Sequence, residues 1–314
     1  MASIINRGPY QFQALIRRKG YPAQTRTFES IKDAKDWARE VEAKMRRGEF
    51  TDLSEAEATT LGELLERYRQ EVTPEKRGHV KENYRVLQLL RHPLALRSLA
   101  SLRNVDFSNY RNERLKEVGS KTVQLELSLL SAVLNTARRD WSIPIVNSVT
   151  DIRKPKLPRG RDRRLVGDEE KRLFYAATEC RSPGLDVCIR LALETGMRRG
   201  EIASLDWKQI DFASHVIRLD MTKNGDPRVV PLSATAEAAI HTLPNPKNDG
   251  QIFEFHDSDG LGKAFRRACK RAGIVGLRFH DLRHEAASRW AKKVPVATLA
   301  KIFGWKTLQM AMRY

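Results

Sequence analysis

Residues 195–207 read TGMRRGEIASLDW, and they predict a turn between two helices in the last third of the chain. Gly196 is placed to end one helix and let the chain turn, so that Arg198 stands at the start of the next helix. Glu201 follows at a helical spacing, where it can pair with Arg198 or cap the new helix. Such a pair orients a guanidinium for bidentate contact with phosphate oxygens. Taken alone, an Arg-Arg-Gly-Glu turn is more often a solvated surface than a site.

Downstream, residues 222–232 read TKNGDPRVVPL and predict a hairpin. The strand patterns HVIRLD and RVVPL flank the turn signal Asn224-Gly225. Lys223 therefore lies at or next to the tip. An exposed lysine in a turn is usually only a solubility residue, but a flexible ammonium with a lowered pKa can donate a proton to a departing oxygen.

Residues 280–290 read HDLRHEAASRW and predict a helix. His280 and Arg283 are three apart at its start, so both side chains point from the same face. Histidine exchanges protons near neutral pH, and arginine supplies a fixed charge. The adjacent His284 is interpreted as a core or helix-capping residue.

Residues 303–314 read FGWKTLQMAMRY and bring in a tyrosine, Tyr314. A phenol has a pKa of about 10 in water, and nearby positive charge favours its phenolate. The pocket described by Arg198, Lys223, His280 and Arg283 is expected to provide that charge. A tyrosine attacking a phosphodiester needs cations around the developing charge and a proton donor for the leaving oxygen, and no metal or cofactor.

Composition predicts a polyanionic partner. The 314 residues carry a formal net charge of +18 and a pI near 10.0, which favours nucleic acid. The sequence has neither an apolar run that could span a bilayer nor a signal or transit peptide, so we expect no membrane partner and a cytoplasmic, nucleoid-associated protein. Cys180, Cys188 and Cys269 form no CxxC pair and lack a matching histidine cluster. They are expected to be buried, reduced thiols, with no metal site.

The predicted fold class is α+β, mainly α. Residues 1–58 are predicted to form a small strand-strand-helix unit, because YQFQALIRR and TRTFES alternate roughly between apolar and polar residues and a helical pattern follows until Gly48. Residues 59–150 are helical in pattern throughout and predict a separate helical domain. The helix that begins near Ser120 has one apolar face, interpreted as core, formed by Val123, Leu127, Leu130 and Leu134.

Residues 151–164 are predicted to be a basic linker to a mainly helical domain at residues 165–314, which contains one small antiparallel sheet. In DIRKPKLPRGRDRRL seven of fifteen residues are Lys or Arg, and two prolines forbid a regular helix. A charge run is usually only solvated, but one that joins two basic domains can lie along a phosphate backbone. The side chains predicted to contact DNA, here and at the N-terminal hairpin, are Arg17, Arg18, Lys19, Arg153, Lys154, Arg161, Arg163 and Arg164.

These stretches, in this order, resemble the tyrosine recombinases, the family of phage integrases and site-specific DNA recombinases, over roughly residues 59–314. TGMRRGEIASLDW looks like the family's first-arginine motif, TKNGDPRVVPL its lysine hairpin, HDLRHEAASRW its histidine-x-x-arginine box and FGWKTLQMAMRY its nucleophile segment. Five matched positions in sequence are far more specific than any one of them. The resemblance implies an enzyme that cleaves and rejoins DNA strands through a 3′-phosphotyrosine intermediate, without a cofactor.

The resemblance also implies a role for each matched residue. Tyr314 attacks the scissile phosphate, and Arg198 and Arg283 bind its non-bridging oxygens. Lys223 protonates the leaving 5′ oxygen, and His280 assists proton transfer.

The chain departs from the commoner pattern of the family at two places. Trp305, nine positions before the tyrosine, stands where many relatives carry histidine. Its indole N–H can donate to phosphate but cannot shuttle a proton, and a simple packing role is the alternative. Relatives also usually continue past the tyrosine with a short segment that docks on a neighbouring protomer, so a protein that ended at Tyr314 is expected to assemble less well.

The family also implies partners. Residues 59–150 and 165–314 are expected to form a C-shaped clamp on double-stranded DNA carrying a specific recombination site, with a homotetramer on two duplexes and accessory DNA-bending proteins. Residues 1–58 resemble the arm-DNA-binding domain of larger integrases, which present a small sheet to the major groove. Chromosome-dimer resolvases generally lack such a unit, so an integrase or a shufflon-type invertase is favoured, and the product is integration, excision or inversion of DNA.

Two other functions remain open from the sequence. One is a sequence-specific DNA-binding protein without catalysis, in which only the basic surface matters; the intact set of five residues argues against it. The other is a type IB topoisomerase, which uses the same chemistry and relaxes supercoils without a preferred sequence. The arm-like unit and the two-part clamp favour recombination.

Overall fold

The computed structural model describes residues 2–180, 183–220, 227–244, 250–255 and 257–314. The chain divides into two compact units, Met1–Arg159 and Gly160–Tyr314. The described part is mainly helical with small antiparallel sheets, which confirms the predicted fold class. Within these residues no helix is both long and apolar enough to cross a membrane.

The first unit begins with an antiparallel sheet packed on a helix. Its strands, in sheet order, are β1 (Ala2–Gly8), β2 (Gln11–Ile16) and β3 (Gln24–Phe28), followed by α1 (Ile31–Arg47). Strand β1 is a correction to the predicted strand-strand-helix unit. Its Ile4 and Ile5 are adjacent rather than alternating, so the period of two that marks a strand is absent. The contact between sheet and helix is a buried cluster of Ile16, Ala38, Val41 and Met45.

The rest of the first unit is helical. Its helices are α2 (Ser54–Ala58), α3 (Leu61–Glu71), α4 (His79–Leu90), α5 (Asn104–Glu117) and α6 (Ser120–Arg139), with 3₁₀ turns at Thr73–Glu75, Pro93–Leu96 and Leu99–Ser101. The predicted apolar face of α6 is core, because Val123, Leu127, Leu130 and Leu134 are all buried. The predicted separation of residues 1–58 from residues 59–150 remains a prediction.

The second unit surrounds a small sheet with helices. Its elements are α7 (Glu169–Thr178), α8 (Leu185–Thr195), α9 (Arg199–Ala203), a 3₁₀ turn at Trp207–Gln209, β4 (Ile210–Asp211), β5 (Val216–Leu219), β6 (Arg228–Pro231), α10 (Ala234–His241), α11 (Ser258–Arg271), α12 (Phe279–Ala291), α13 (Val296–Phe303) and α14 (Leu308–Ala311). Strands β5 and β6 pair antiparallel as predicted, while the Asn224-Gly225 turn lies outside the described residues. Cys188 and Cys269 are buried free thiols as predicted, whereas Cys180 is only half-buried.

Gly196 ends α8 and sets the turn that places Arg198 at the start of α9. It has a φ of 63° in the left-handed region, and a Cβ added there would lie 2.2 Å from Cε1 of Phe303. An L side chain at Gly196 therefore meets both backbone strain and a clash with a buried ring. After Met197, Arg198 stands at the N-cap of α9, as predicted.

We expect Gly196→Ala to destabilise the protein by about 3 kcal/mol or more, the sum of a left-handed alanine and an overpacked core. The matched control is Gly276→Ala, because Gly276 has a φ of 72° with no heavy atom within 4 Å of the added Cβ. That variant should lose only about 1–2 kcal/mol. Urea unfolding of the full chain measures both. Equal losses would mean that the contact with Phe303 contributes nothing.

Candidate active site

Arg198 is held in place by a carboxylate that also binds a second arginine. Glu201 accepts a hydrogen bond from Nη1 of Arg198 at 2.8 Å and another from the Arg198 backbone N–H at 2.7 Å, which confirms the predicted pair. Arg228 on β6 donates to both oxygens of Glu201, at 2.8 and 2.7 Å. Burial alone would raise the pKa of Glu201, but the bonds from Arg228 and Arg198 outweigh it and hold the pKa at about 2. The carboxylate is therefore ionised and joins the hairpin to α9.

Arg283 is buried with 5% of its surface exposed, although it carries a charge. Its Nη1 donates to the carbonyl oxygen of Gly196 at 2.5 Å, and its Nη2 donates to the carbonyl oxygen of Phe303. Burial and the positive charges of Arg198 and Arg228 lower the pKa of Arg283 to about 9. The guanidinium is thus positioned by neutral carbonyls, and no carboxylate of the described residues is hydrogen-bonded to it, which leaves its charge available to an anion.

Tyr314 lies on the wall of a 340 Å³ cavity that the two arginines share. The ring of Tyr314 stacks on that of Trp305, with centroids 5.4 Å apart and planes at 3°. Trp305 in turn stacks on Phe303 at 4.9 Å. The side chains that line the cavity are Arg198, His280, Arg283, His284, Trp305, Met310, Arg313 and Tyr314.

His284 contacts Tyr314 directly, contrary to its interpretation as a core or capping residue. Nδ1 of His284 is hydrogen-bonded to the hydroxyl of Tyr314. His280 lies one turn earlier on α12 and meets the ring of His284 edge-on, with centroids 5.2 Å apart. The sequence signal was present, since His284 follows Arg283 directly, but the partner lies 30 residues away and becomes its neighbour only through folding.

The environment of Tyr314 does not favour the phenolate, which corrects the expectation from the sequence. Burial raises the pKa of Tyr314 above its ordinary value, and the nearby charges of Arg313, Arg283 and Arg164 offset this only in part. Tyr314 is therefore a protonated phenol at neutral pH. Attack by its oxygen requires a group that takes the proton.

The predicted DNA-contacting residues fall into two sets. Arg17, Arg18, Lys19, Arg153 and Lys154 are exposed in the first unit. The other three are paired with carboxylates of the second unit: Arg161 with Asp281 at 2.9 Å, Arg163 with Glu169 at 2.5 Å and Arg164 with Glu285 at 2.7 Å. The end of the predicted linker is thus anchored on the second unit. That any of these residues contacts DNA remains a prediction.

The arrangement can bind a phosphodiester and attack it. Arg198 and Arg283 line one cavity, where their guanidinium groups can bind the same anion, and Tyr314 lines that cavity too. Lys223, the predicted proton donor, lies outside the described residues. Over the described residues, no group of three or more His, Cys, Asp or Glu side chains is placed to hold a metal ion.

Arg228 has no role predicted from the sequence, but we expect it to stabilise the fold as well as to position Glu201. Its side chain is 6% exposed, and its Nε is buried without a hydrogen-bond partner among the described residues. We expect Arg228→Met to cost about 3–5 kcal/mol, because it breaks a buried ion pair and leaves Glu201 under-compensated.

The control is Arg218→Met on the neighbouring strand β5. Arg218 pairs with Asp211 at 3.0 Å, but its side chain is 56% exposed. Exposed pairs contribute about 0–1 kcal/mol, so this variant should unfold at nearly the same urea concentration as the wild type. If the two variants lose equal stability, the bonds between Arg228 and Glu201 stabilise the fold no more than an exposed ion pair does.

Comparisons with known proteins agree with this geometry. Residues 163–314 match the Phage integrase family. The chain is 40% identical over 265 residues to a shufflon-specific DNA recombinase of Escherichia coli, covering 81% of this chain and 68% of the relative. It is 37% identical to a putative integrase/recombinase of Haemophilus influenzae, covering 99% and 86%. In fold it matches a lambda integrase tetramer bound to a Holliday junction, with a TM-score of 0.69 and 18% identity over 97% of this chain and 95% of that one.

Proposed function

This chain belongs to the phage integrase family and is a site-specific DNA recombinase, and we propose that it uses Tyr314 to cleave and rejoin DNA strands through a 3′-phosphotyrosine intermediate. The Tyr314 oxygen attacks the scissile phosphorus and the 5′ oxygen leaves. Because a phosphodiester is exchanged for a phosphotyrosine ester, the energy of the bond is retained, and a 5′ hydroxyl of a second strand can reverse the step.

The proposal rests on one observation, which is that Tyr314 lines the same cavity as Arg198 and Arg283. In the proposed reaction the two guanidinium groups bind the non-bridging oxygens and stabilise the charge that develops on them. Glu201 and the carbonyl oxygens of Gly196 and Phe303 hold these groups in place before DNA arrives.

The remaining roles are proposed from the family resemblance. Lys223 protonates the leaving 5′ oxygen, and His280 assists proton transfer. Trp305 orients the nucleophile, which its parallel stacking on Tyr314 supports, and its indole N–H donates to the phosphate.

The proposed partner is double-stranded DNA that carries a specific recombination site. The net charge of +18 supports strong binding to a phosphate backbone. We propose that residues 1–58 bind arm DNA, that residues 59–150 and 165–314 bind the core site, and that residues 151–164 follow the backbone between them. A homotetramer on two duplexes is proposed because a lambda integrase tetramer shares the fold. Accessory DNA-bending proteins belong to the same proposal.

The test is a search for a covalent protein–DNA complex on a denaturing gel, with a nicked suicide substrate drawn from the DNA that flanks the gene. We expect an adduct that survives denaturant and leaves a free 5′ hydroxyl. Protease digestion should place the DNA on the peptide that contains Tyr314. Tight binding of the same DNA without any adduct would contradict strand cleavage. Relaxation of supercoils without sequence preference would instead indicate topoisomerase activity.

A further inference from the structure

The group in contact with the Tyr314 hydroxyl is the imidazole of His284. Its Nδ1 is hydrogen-bonded to that hydroxyl, and the two ring centroids are 5.8 Å apart. His284 occupies the position after Arg283 on α12, so the same helix that carries the buried guanidinium also presents a ring nitrogen to the tyrosine. The same helix is hydrogen-bonded to α8, because Trp290 donates to the carbonyl oxygen of Glu194 at 2.6 Å.

His284 is surrounded by groups that keep its ring neutral. Burial, helped by the charges of Arg313, Arg283 and Arg164, lowers the pKa of His284 below its ordinary value, and Asp281 opposes this only in part. The neighbouring His280 also has a lowered pKa, mainly through burial and then through His284 itself. A neutral imidazole with its proton on Nε2 presents an unprotonated Nδ1, which can accept the phenolic proton.

We propose that His284 is the general base that takes the Tyr314 proton during DNA cleavage. This inference rests on the proposed function of Tyr314. As the tyrosine oxygen forms its bond to phosphorus and the bond from phosphorus to the 5′ oxygen breaks, the phenolic proton moves to Nδ1 of His284. The leaving 5′ oxygen takes a different proton from a separate acid, for which Lys223 is proposed above. In rejoining, His284 returns its proton to the departing tyrosine oxygen.

A base is needed here because a phenol is protonated at neutral pH and the surroundings of Tyr314 do not lower its pKa. Burial raises the pKa of the phenol, so little phenolate exists at neutral pH without an acceptor. Stacking on Trp305 already orients the tyrosine ring, so a purely orienting role for His284 would duplicate an existing contact. His280 lines the same cavity, but the ring that is hydrogen-bonded to the hydroxyl is that of His284.

The decisive comparison is between His284→Asn and His284→Ala. An asparagine oxygen can stand near the position of Nδ1 and accept the hydrogen bond, but it cannot take the proton. If His284 is the base, both variants should cleave a nicked suicide substrate roughly 10²–10⁴ times more slowly than the wild type at neutral pH. If asparagine restores the wild-type rate while alanine does not, His284 only orients the hydroxyl and the proposal is overturned.

The dependence of single-turnover cleavage on pH is a second readout. In the wild type the rate should rise as pH passes through the pKa of His284 and then level off, because the unprotonated ring is the active form. In His284→Asn the rate should keep rising towards the pKa of Tyr314, since hydroxide must remove the proton. His280→Asn, measured in parallel, shows whether the rise in rate reflects the titration of His280 instead. If it reflects His284, the rise should remain in His280→Asn. A wild-type profile retained in His284→Asn contradicts the proposal.

A substrate with sulfur in place of the bridging 5′ oxygen separates the two proton transfers. A thiolate leaves without protonation, so the substitution relieves a defect in the acid and not a defect in the base. The slow cleavage by His284→Asn should persist with this substrate; rescue would assign His284 to the leaving group instead. His241→Asn, at an exposed histidine stacked on Phe212, is the control and should cleave like the wild type. Absence of any adduct in the wild type would instead refute the function of Tyr314 itself.

Discussion

Tyr314→Phe should abolish the covalent protein–DNA adduct while DNA binding stays within a few-fold of the wild type. The substitution removes one neutral hydroxyl and keeps the ring that stacks on Trp305 at 5.4 Å. The lost hydrogen bond to His284 should cost about 0.5–1.5 kcal/mol of folding stability. Cleavage loses its nucleophile, for which removal from a serine protease gives a loss on the order of 10⁶-fold. The suicide-substrate gel measures the chemistry, and gel retardation measures binding.

The control for this prediction is Tyr175→Phe. Tyr175 lies in the same unit, but 73% of its surface is exposed, and its replacement should change neither adduct nor binding. An adduct that persists in Tyr314→Phe would show that another residue attacks the phosphate. Equal loss of binding and cleavage would show that the hydroxyl contributes to affinity rather than to chemistry.

Arg283→Ala should slow cleavage by about 10³-fold or more while weakening DNA binding much less. Arg283 is 5% exposed and is held by the carbonyl oxygens of Gly196 and Phe303, so its charge is positioned before the phosphate arrives. Removal of one pre-positioned donor to a developing oxyanion costs about 10²–10³-fold, and loss of an arginine that stabilises a phosphoryl transition state costs about 10³–10⁵-fold. Affinity depends on many phosphate contacts, so one loss is diluted.

Arg283→Lys separates charge from geometry. A lysine keeps the positive charge, but its single ammonium cannot bond both carbonyl oxygens and also bind phosphate in a bidentate manner. We expect it to bind DNA like the wild type and to remain at least about 10-fold slower in cleavage. Thermal unfolding of each variant shows whether the protein is folded. A folded Arg283→Ala variant that cleaves within a few-fold of the wild type would remove Arg283 from the site.

Local sequence patterns predicted most of the helices and the turn at Gly196. Helical periodicity predicted α3 to α6, and the apolar face of α6 proved to be core, because burial of such a face follows directly from a repeat of 3.6 residues. Turn chemistry at Gly196 placed Arg198 at a helix N-cap. Strand β1 was missed, because the adjacent Ile4 and Ile5 break the alternation and the strand is specified by its pairing with β2.

Sequence patterns did not predict the side-chain contacts between residues that lie far apart in the chain. Glu201 was expected to pair with Arg198 three residues away, but its second partner, Arg228, comes from a strand 27 residues on. Arg161 and Arg164 bond to carboxylates of α12 that lie about 120 residues further along the chain. The sequence showed these two arginines only as part of a basic run.

By itself, the sequence determined the class of fold, and it predicted a polyanionic partner and four of the residues that line one cavity, Arg198, His280, Arg283 and Tyr314. Propensity, charge and ordered motifs can be read from the sequence without its tertiary structure. Only the tertiary structure decided in which direction the pKa of Tyr314 is shifted and which residue is hydrogen-bonded to its hydroxyl. A pKa depends on burial and on the charges that folding brings close, and here burial outweighs the surrounding arginines. For the same reason His284 gained a proposed chemical role only when folding placed its ring nitrogen against the hydroxyl of Tyr314.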